Sequence, residues 1–330
     1  MGVVRRIILT SLTDVFLSFP YAEPGDTQAY DQQIASLWKF FLPDDKRPHG
    51  FFVDSVVKKI PWTKDFKLIP APRKEIHLLR RDVENWQEEC SDAIDRLLDI
   101  VREKNIFPKL RPKRDEKCPI VGANFPIGVE RSASGLFGMV GVGVHMTVYT
   151  RTESGSGFEF WIPQRNLNKK SYPGLLDNTV AGGVDGTEEP FECLVREASE
   201  EAGLPGEQVR KDARAVGAVT YFNIDDERAG GVTGLMNPGL LFVYDLEVGP
   251  EVEFKPVDDD IHAFYLMGVE EVKNAMAARK FKPASANVLM DFLIRYGLIT
   301  AEDDCDYTEI VSRLHRKLPF PTRPETIDKD

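Results

Sequence analysis

The chain has 330 residues, about two domains at roughly 100 to 200 residues each and enough to bury a sizeable core, which excludes a small stapled scaffold. With 42% apolar and 29% charged residues, and no stretch near the roughly 20 apolar residues of a membrane helix, no membrane partner is expected. A net charge of −11 repels a phosphate backbone, so no nucleic acid is expected either.

In chain order, Met1 to Phe19 reads as a folded helix, because Asp14 interrupts its apolar run and no small-residue cleavage site follows. Gly2 does not make a myristoylation signal, since Arg6 stands where Ser or Thr is required. Ile34 to Phe41 is expected to be helical and Phe51 to Lys59 extended, while Ile94, Leu97, Leu98 and Val101 give Val83 to Val101 helical spacing. Residues 104–120 set Lys104, Lys109, Arg111, Lys113, Arg114 and Lys117 among Pro108, Pro112 and Pro119. That run reads as a solvated connector, for it lacks the interleaved aromatic residues of a nucleic-acid patch.

From residue 139 the pattern turns to strands. Val140 to Tyr149 and Phe158 to Ile162 flank a Ser-Gly-Ser-Gly turn and predict a hairpin. Ala215 to Phe222, Leu240 to Leu246 and Ile261 to Leu266 add strands, and Val269 to Ala278 and Ala284 to Tyr296 add helices. Beyond Arg316, the prolines at 319, 321 and 324 in a polar context predict a flexible tail over 319–330. Cys90, Cys118, Cys193 and Cys305 form no CxxC pair, which argues against a zinc cluster or disulfide framework and fits a reducing, cytoplasmic setting.

Charge is unevenly shared: residues 1–132 carry 22 basic and 20 acidic side chains, residues 133–330 carry 20 and 33. A negative domain can handle an anionic substrate when divalent cations occupy its carboxylates. Residues 182–204, GGVDGTEEPFECLVREASEEAGL, supply such carboxylates. Thr187 is suited to an N-cap, Pro190 to the first helical turn and Gly203 to a left-handed stop, so a helix is expected from about Glu188 to Ala202. Phe191, Leu194, Val195, Ala198 and Ala202 would form its buried face.

On the opposite face Glu197, Glu200 and Glu201 stand at i, i+3 and i+4, a crowding of like charge that calls for a counter-ion. Hard oxygen donors in this arrangement suit Mg²⁺ or Mn²⁺. Gly182 and Gly183 allow close backbone approach, and Arg196 would orient a carboxylate. Three glutamates alone are, as a rule, a solvated helix face. The order of the whole segment decides otherwise, because Gly182, Glu188, Arg196, Glu197, Ala198, Glu200, Glu201, Gly203 and Leu204 match the fixed positions of the Nudix box, GX5EX7REUXEEXGU.

The longer segment WIPQRNLNKKSYPGLLDNTVAGGVDGTEEP resembles the Nudix proteins related to thiamin pyrophosphokinase, which carry an extra N-terminal domain. The resemblance implies an α/β (α+β) class: a Nudix α/β/α sandwich with a mixed sheet at 133–318, preceded by a smaller mixed α/β domain at 1–132. It implies metal-dependent removal of phosphate from the diphosphates of damaged thiamin, the oxo and oxy forms, to leave monophosphates. Glu197, Glu200, Glu201 and the carbonyl of Ala181 would be metal ligands, Arg196 an orienting partner, and Glu188 a carboxylate at the helix start. The general base would be Glu200 or Glu201, taking a proton from the attacking water. The partner is then a small-molecule diphosphate, and residues 1–132 would complete the pocket or make a homodimer contact.

Outside the box, Arg165, Lys169 and Lys170 either meet the phosphates or are ordinary loop cations. Trp161, Tyr221 and Phe222 read as core rather than as stacking partners, Asp258 to Asp260 as an acidic turn, and His145 as a packed histidine. Isopentenyl diphosphate isomerase, a Nudix relative, is disfavoured because no cysteine lies between Cys118 and Cys193. Hydrolysis of ADP-ribose, nucleotide sugars or coenzyme A is the rival, since the box activates water without naming the leaving group. A catalytically silent binding module would be expected to lack a box glutamate, and none is missing.

Overall fold

A computed structural model describes residues 19–325 except 111, 112, 114, 115, 153, 156 and 187, and the side chain of Lys109. The helix expected over Met1 to Phe19, the Thr187 cap, Arg111 and Arg114 of the basic run, and the last five residues of the tail lie outside the described residues, Phe19 excepted.

The first part comprises α1 (Gln28–Ser36), β1 (Trp38–Phe41), β2 (Pro48–Phe52), the single turn α2 (Asp54–Val57), β3 (Phe66–Ile69), β4 (Glu75–Leu78) and α3 (Trp86–Glu103). Its strands form one sheet in the order β2-β1-β4-β3, with β1 and β4 parallel. On α3, Cys90, Ala93, Ile94, Leu97, Leu98 and Val101 repeat at helical spacing and are all buried, against Phe40, Phe52, Ile76 and Leu78 of the sheet.

Two expectations need correction here. The segment Ile34 to Phe41 leaves the helix at Ser36, and Trp38–Phe41 pairs with β2 instead. Its aromatic side chains fit a half-buried pleat, and pairing puts Phe40 and Phe41 into the core. The extended reading of Phe51 to Lys59 holds only to Phe52, for Val56 and Val57 enter the core from a helical turn, where tertiary burial overrides their β propensity.

The basic run is not simply a connector. Lys117–Pro119 is strand β5, paired with β6 (Gly128–Glu130), and Lys113 and Lys117 form ion pairs with Asp99 and Asp95 on α3. A turn, α4 (Ser134–Phe137), leads on to the second part.

That part runs β7 (Gly141–Arg151), β8 (Phe158–Arg165), β9 (Val180–Gly183), α5 (Pro190–Ala202), α6 (Gly206–Asp212), β10 (Arg214–Ile224), β11 (Met236–Glu247), β12 (Ile261–Gly268), α7 (Val269–Ala277), α8 (Pro283–Arg295) and α9 (Tyr307–Leu314). The mixed sheet has the order β10-β11-β7-β8-β12, with β9 added on β7 and β7 parallel to β11. Alternation along β7 sends Val144, Met146 and Val148 towards α5 and α6, and Tyr149 towards α7, α8 and α9. The result is an α/β/α sandwich on a mixed sheet, preceded by a smaller α/β unit.

β7 pairs with β9 over Gly143 to Met146 but with β8 only from Tyr149 onward. The strands diverge between those registers, and β9 lies in the gap, next to α5. Within the segment 319–330, Phe320 is buried with Phe19, Phe51 and Phe222, and Leu318 just before it joins the same apolar cluster. Among the described residues no helix is long and apolar enough to cross a membrane.

Candidate active site

The acidic helix begins at Pro190, two residues after the expected start, and Gly203 ends it with φ +63°. Leu194, Ala198 and Ala202 are buried as expected, with Cys193 beside them, while Phe191 and Val195 are half-buried against the same cluster. This packing fixes which way the glutamates face.

Arg196 is their common partner. Its Nε and Nη2 donate to the two oxygens of Glu188 at 3.0 and 2.9 Å, and Nη1 donates to Glu197 at 2.9 Å and to Glu200 at 3.1 Å. The bidentate bond holds the Glu188 carboxyl below the usual carboxylate range and raises the arginine's own pKa. Glu197 lies over Gly182, where a Cβ would stand 2.6 Å from Oε1. Burial pushes the Glu197 carboxyl up, opposed by Arg196 and, from outside the box, by Arg131.

Glu201 turns to β9, where its Oε2 accepts from the Ala181 N–H at 2.9 Å. Burial pushes its carboxyl up to about 8; the Ala181 N–H opposes the shift, and Asp177 and Glu197 add to it. Cys193, below the box, has its thiol pushed up to about 12 by burial and by Glu188 and Glu197, and its Sγ lies 3.4 Å from the Gly183 carbonyl.

Among the described residues, the group of potential ligands whose atoms all lie within 4.8 Å of one another is Asp304, Cys305 and Asp306; the box glutamates are not so gathered. Arg196 engages Glu197 and Glu200 through one nitrogen, and the Ala181 N–H holds Glu201. The donor set still fits a hard divalent cation, being all oxygen, with two of its carboxyls raised by burial and mutual repulsion in a way that a counter-charge would relieve.

Behind Glu201 lies a polar cluster with no local signal in the sequence. Asp177 is buried, accepts from Arg165 at 2.8 Å and from Ser285, and pairs with Lys282 at 3.4 Å. Burial alone would raise its carboxyl, but Lys282 and Arg165 hold it well below the usual range. The cluster joins the segment before β9 to the head of α8, and only folding brings these together. Next to it His145 is the packed histidine expected, 4% exposed, with Nδ1 at 2.6 Å from the Asn178 side-chain oxygen and its pKa lowered to about 4 by burial.

The other singled-out residues lie as follows. Arg165 is committed to Asp177 and to the carbonyls of Ser171 and Tyr172. Lys169 pairs with Asp260, and Lys170 is exposed. Gly183 faces Arg131, which follows β6 and was not among the residues singled out. Phe222 is fully buried against Phe19, Tyr221 covers Gly239 on the neighbouring strand, and Trp161 packs against Phe254 at 5.2 Å. A cleft of about 860 Å³ between β12 and α7 includes Gln164, Tyr265 and Leu266, but no box residue lines it.

The NUDIX domain model matches residues 141–292. The chain is 32% identical over 251 residues to an uncharacterized protein of Saccharomyces cerevisiae, covering 74% of this chain and 73% of that one. It is 32% identical over 231 residues to Nudix hydrolase 20, chloroplastic, of Arabidopsis thaliana, covering 70% of this chain and 59% of the relative. With Nudix hydrolase 24, chloroplastic, of the same plant it shares 33% over 228 residues, or 69% and 60%. The chain therefore spans about 60% of the length of the two plant relatives. Residues 141–292 therefore carry a NUDIX domain, and the chain is similar to two plant Nudix hydrolases.

Proposed function

We propose that the chain is a Mg²⁺- or Mn²⁺-dependent hydrolase that removes phosphate from the diphosphates of thiamin-like compounds, the oxo and oxy forms above all, leaving the monophosphate. The observation that carries the hydrolytic part is the placement of two α5 glutamates against β9, Glu197 over Gly182 and Glu201 on the Ala181 N–H, with Glu200 exposed beside Arg196. The substrate class is supported by the resemblance of Trp161 to Pro190 to the thiamin pyrophosphokinase-related Nudix proteins. Residues 1–132 are read as an accessory unit and 133–318 as the catalytic one.

Glu197, Glu200, Glu201 and the Ala181 carbonyl would hold the cation. When bound, a divalent ion supplies a Lewis acid that acidifies water and neutralises the charge developing on phosphorus. Glu188 keeps Arg196 aligned, and Arg196 sets the spacing of Glu197 and Glu200. Glu200 or Glu201 takes the proton of the water as its oxygen bonds to phosphorus and the bridging P–O bond breaks.

The test is a panel of oxythiamin, oxothiamin and thiamin diphosphates, ADP-ribose and nucleoside triphosphates, scored by kcat/KM with and without Mg²⁺, for wild type, Glu200→Gln and Glu201→Gln. The expected result is Mg²⁺-dependent preference for the damaged thiamin diphosphates, reduced by at least about a hundredfold in one or both variants. A preference for ADP-ribose or a nucleotide overturns the substrate, and equal phosphate release by all three proteins overturns the chemistry.

A further inference from the structure

We propose that Arg131, which the β5–β6 hairpin carries to the site, is a phosphate-positioning residue acting across Gly183. This rests on the diphosphate reading above and adds to it a contribution from the N-terminal part of the chain.

Gly183 occupies a free position in the box spacing, so the box itself does not demand glycine there. Glycine leaves room there for the Arg131 guanidinium, whose Cζ would stand 2.7 Å from a Cβ at position 183, with Nη2 nearer still. Gly182 makes room for Glu197 in the same way. Two adjacent glycines thus admit a carboxylate of the acidic helix and a cation from outside it.

Arg131 is held in place from behind. Its N–H donates to the Glu116 carbonyl at 2.9 Å, and the preceding Glu130 is buried in an ion pair with Arg102 of α3. Arg102 is itself fixed by the Leu110 carbonyl at 2.9 Å and by Asp99 at 2.8 Å. The hairpin also grips the loop before α5, where the Gly186 N–H donates to the Lys117 carbonyl at 2.9 Å.

The guanidinium borders a hollow of about 460 Å³ that is also lined by Glu116, Asp185, Glu188 and Arg196. Of its two arginines, Arg196 is engaged with Glu188, Glu197 and Glu200. Arg131 has an ion pair with Glu116 at 3.2 Å, in which the side chains are 41% and 51% exposed. Such a pair is weak and easily exchanged for a doubly charged phosphate, which a guanidinium binds in bidentate fashion.

The experiment uses the full chain and methylenediphosphonate, a diphosphate with a bridge that cannot be hydrolysed. Its affinity is measured by calorimetry in the presence of Mn²⁺, alongside the affinity for Mn²⁺ alone, for wild type, Arg131→Ala, Arg131→Lys and Gly183→Ala. Arg131→Ala is expected to weaken diphosphonate binding by at least tenfold while Mn²⁺ affinity does not fall, since loss of a cation beside Glu197 cannot weaken the binding of a second cation there. Arg131→Lys should recover part of the loss, and Gly183→Ala, which keeps the charge but displaces it, should resemble Arg131→Ala. With any diphosphate that is turned over, KM should rise more than kcat falls.

Wild-type affinity in Arg131→Ala overturns the proposal, as does a loss matched by an equal loss of Mn²⁺ binding, or no diphosphonate binding to the wild type at all. A wild type that binds diphosphonate through Arg131 yet hydrolyses no member of the panel would refute the enzymatic reading alone.

Discussion

Gly182 and Glu197 fit closely, because the Glu197 side chain fills the space where any other residue would carry its Cβ. Alanine at 182 would drive Glu197 away from β9, and a displacement of about 1 Å at a reacting centre costs up to about a hundredfold in rate. Gly182→Ala is therefore expected to lower kcat by about 10²-fold with little change in the melting temperature, measured by steady-state kinetics and thermal unfolding; wild-type kcat would contradict it. Gly182 and the glutamates are legible in the sequence because one regular helix sets their spacing. Arg131, Asp177 and Lys282 are not, since what gives each its role is a group on another element.

At the scale of elements, the acidic helix depends on a clean stop. Gly203 takes φ +63°, and its N–H and that of Leu204 close the last turn on Ser199 and Ala198. Alanine in that left-handed region costs about 1 to 2 kcal/mol, and its Cβ would stand 3.1 Å from Val257 Cγ2. Gly203→Ala should lower the denaturant midpoint by a corresponding amount at unchanged slope, and an unchanged midpoint would refute this. Helices with long apolar periods, such as α3 and α8, can be read from sequence, as can the β7–β8 hairpin. The short strands cannot. Val180–Gly183 has little β propensity of its own and becomes β9 by pairing with β7, and Trp38–Phe41, too short to show a period, is fixed as a strand by β2 and β4 on either side.

Over the whole molecule, two contact sets tie the chain's ends to its two sheets. Phe19 stacks on Phe222 at 3.9 Å, and Phe320 packs against both Phe51 and Phe222, so one aromatic cluster spans the first sheet, β10 and the tail. Asp45 accepts from Arg47 and His49, and Arg47 in turn donates to the carbonyls of Gly122 and Arg323. Burial would raise the Asp45 carboxyl, but its Arg47 and His49 hydrogen bonds lower it to about 2. A folded pKa below the unfolded value means stability that is present above about pH 4 and lost as pH falls towards 2, of order 2 kcal/mol. In Asp45→Asn, melting temperature should be lower at pH 7 and should fall less between pH 4 and pH 2 than in wild type; parallel acid limbs would contradict this. The aromatic cluster and the links from Arg47 to Gly122 and Arg323 are not legible locally, since they join residues far apart in the chain, whereas Asp45, Arg47 and His49 are near neighbours in sequence.

On the proposed reading, the glutamates of α5 would hold divalent cations on which hydrolysis depends. The most direct measurement is Mn²⁺ binding by electron paramagnetic resonance in wild type, Glu197→Gln and Glu201→Gln, with phosphate release from oxythiamin diphosphate followed in the same samples. Wild type is expected to bind Mn²⁺ and release phosphate, and the variants to lose both together. Unaltered Mn²⁺ binding in the variants, or wild-type hydrolysis that persists when EDTA has removed every divalent ion, would contradict it.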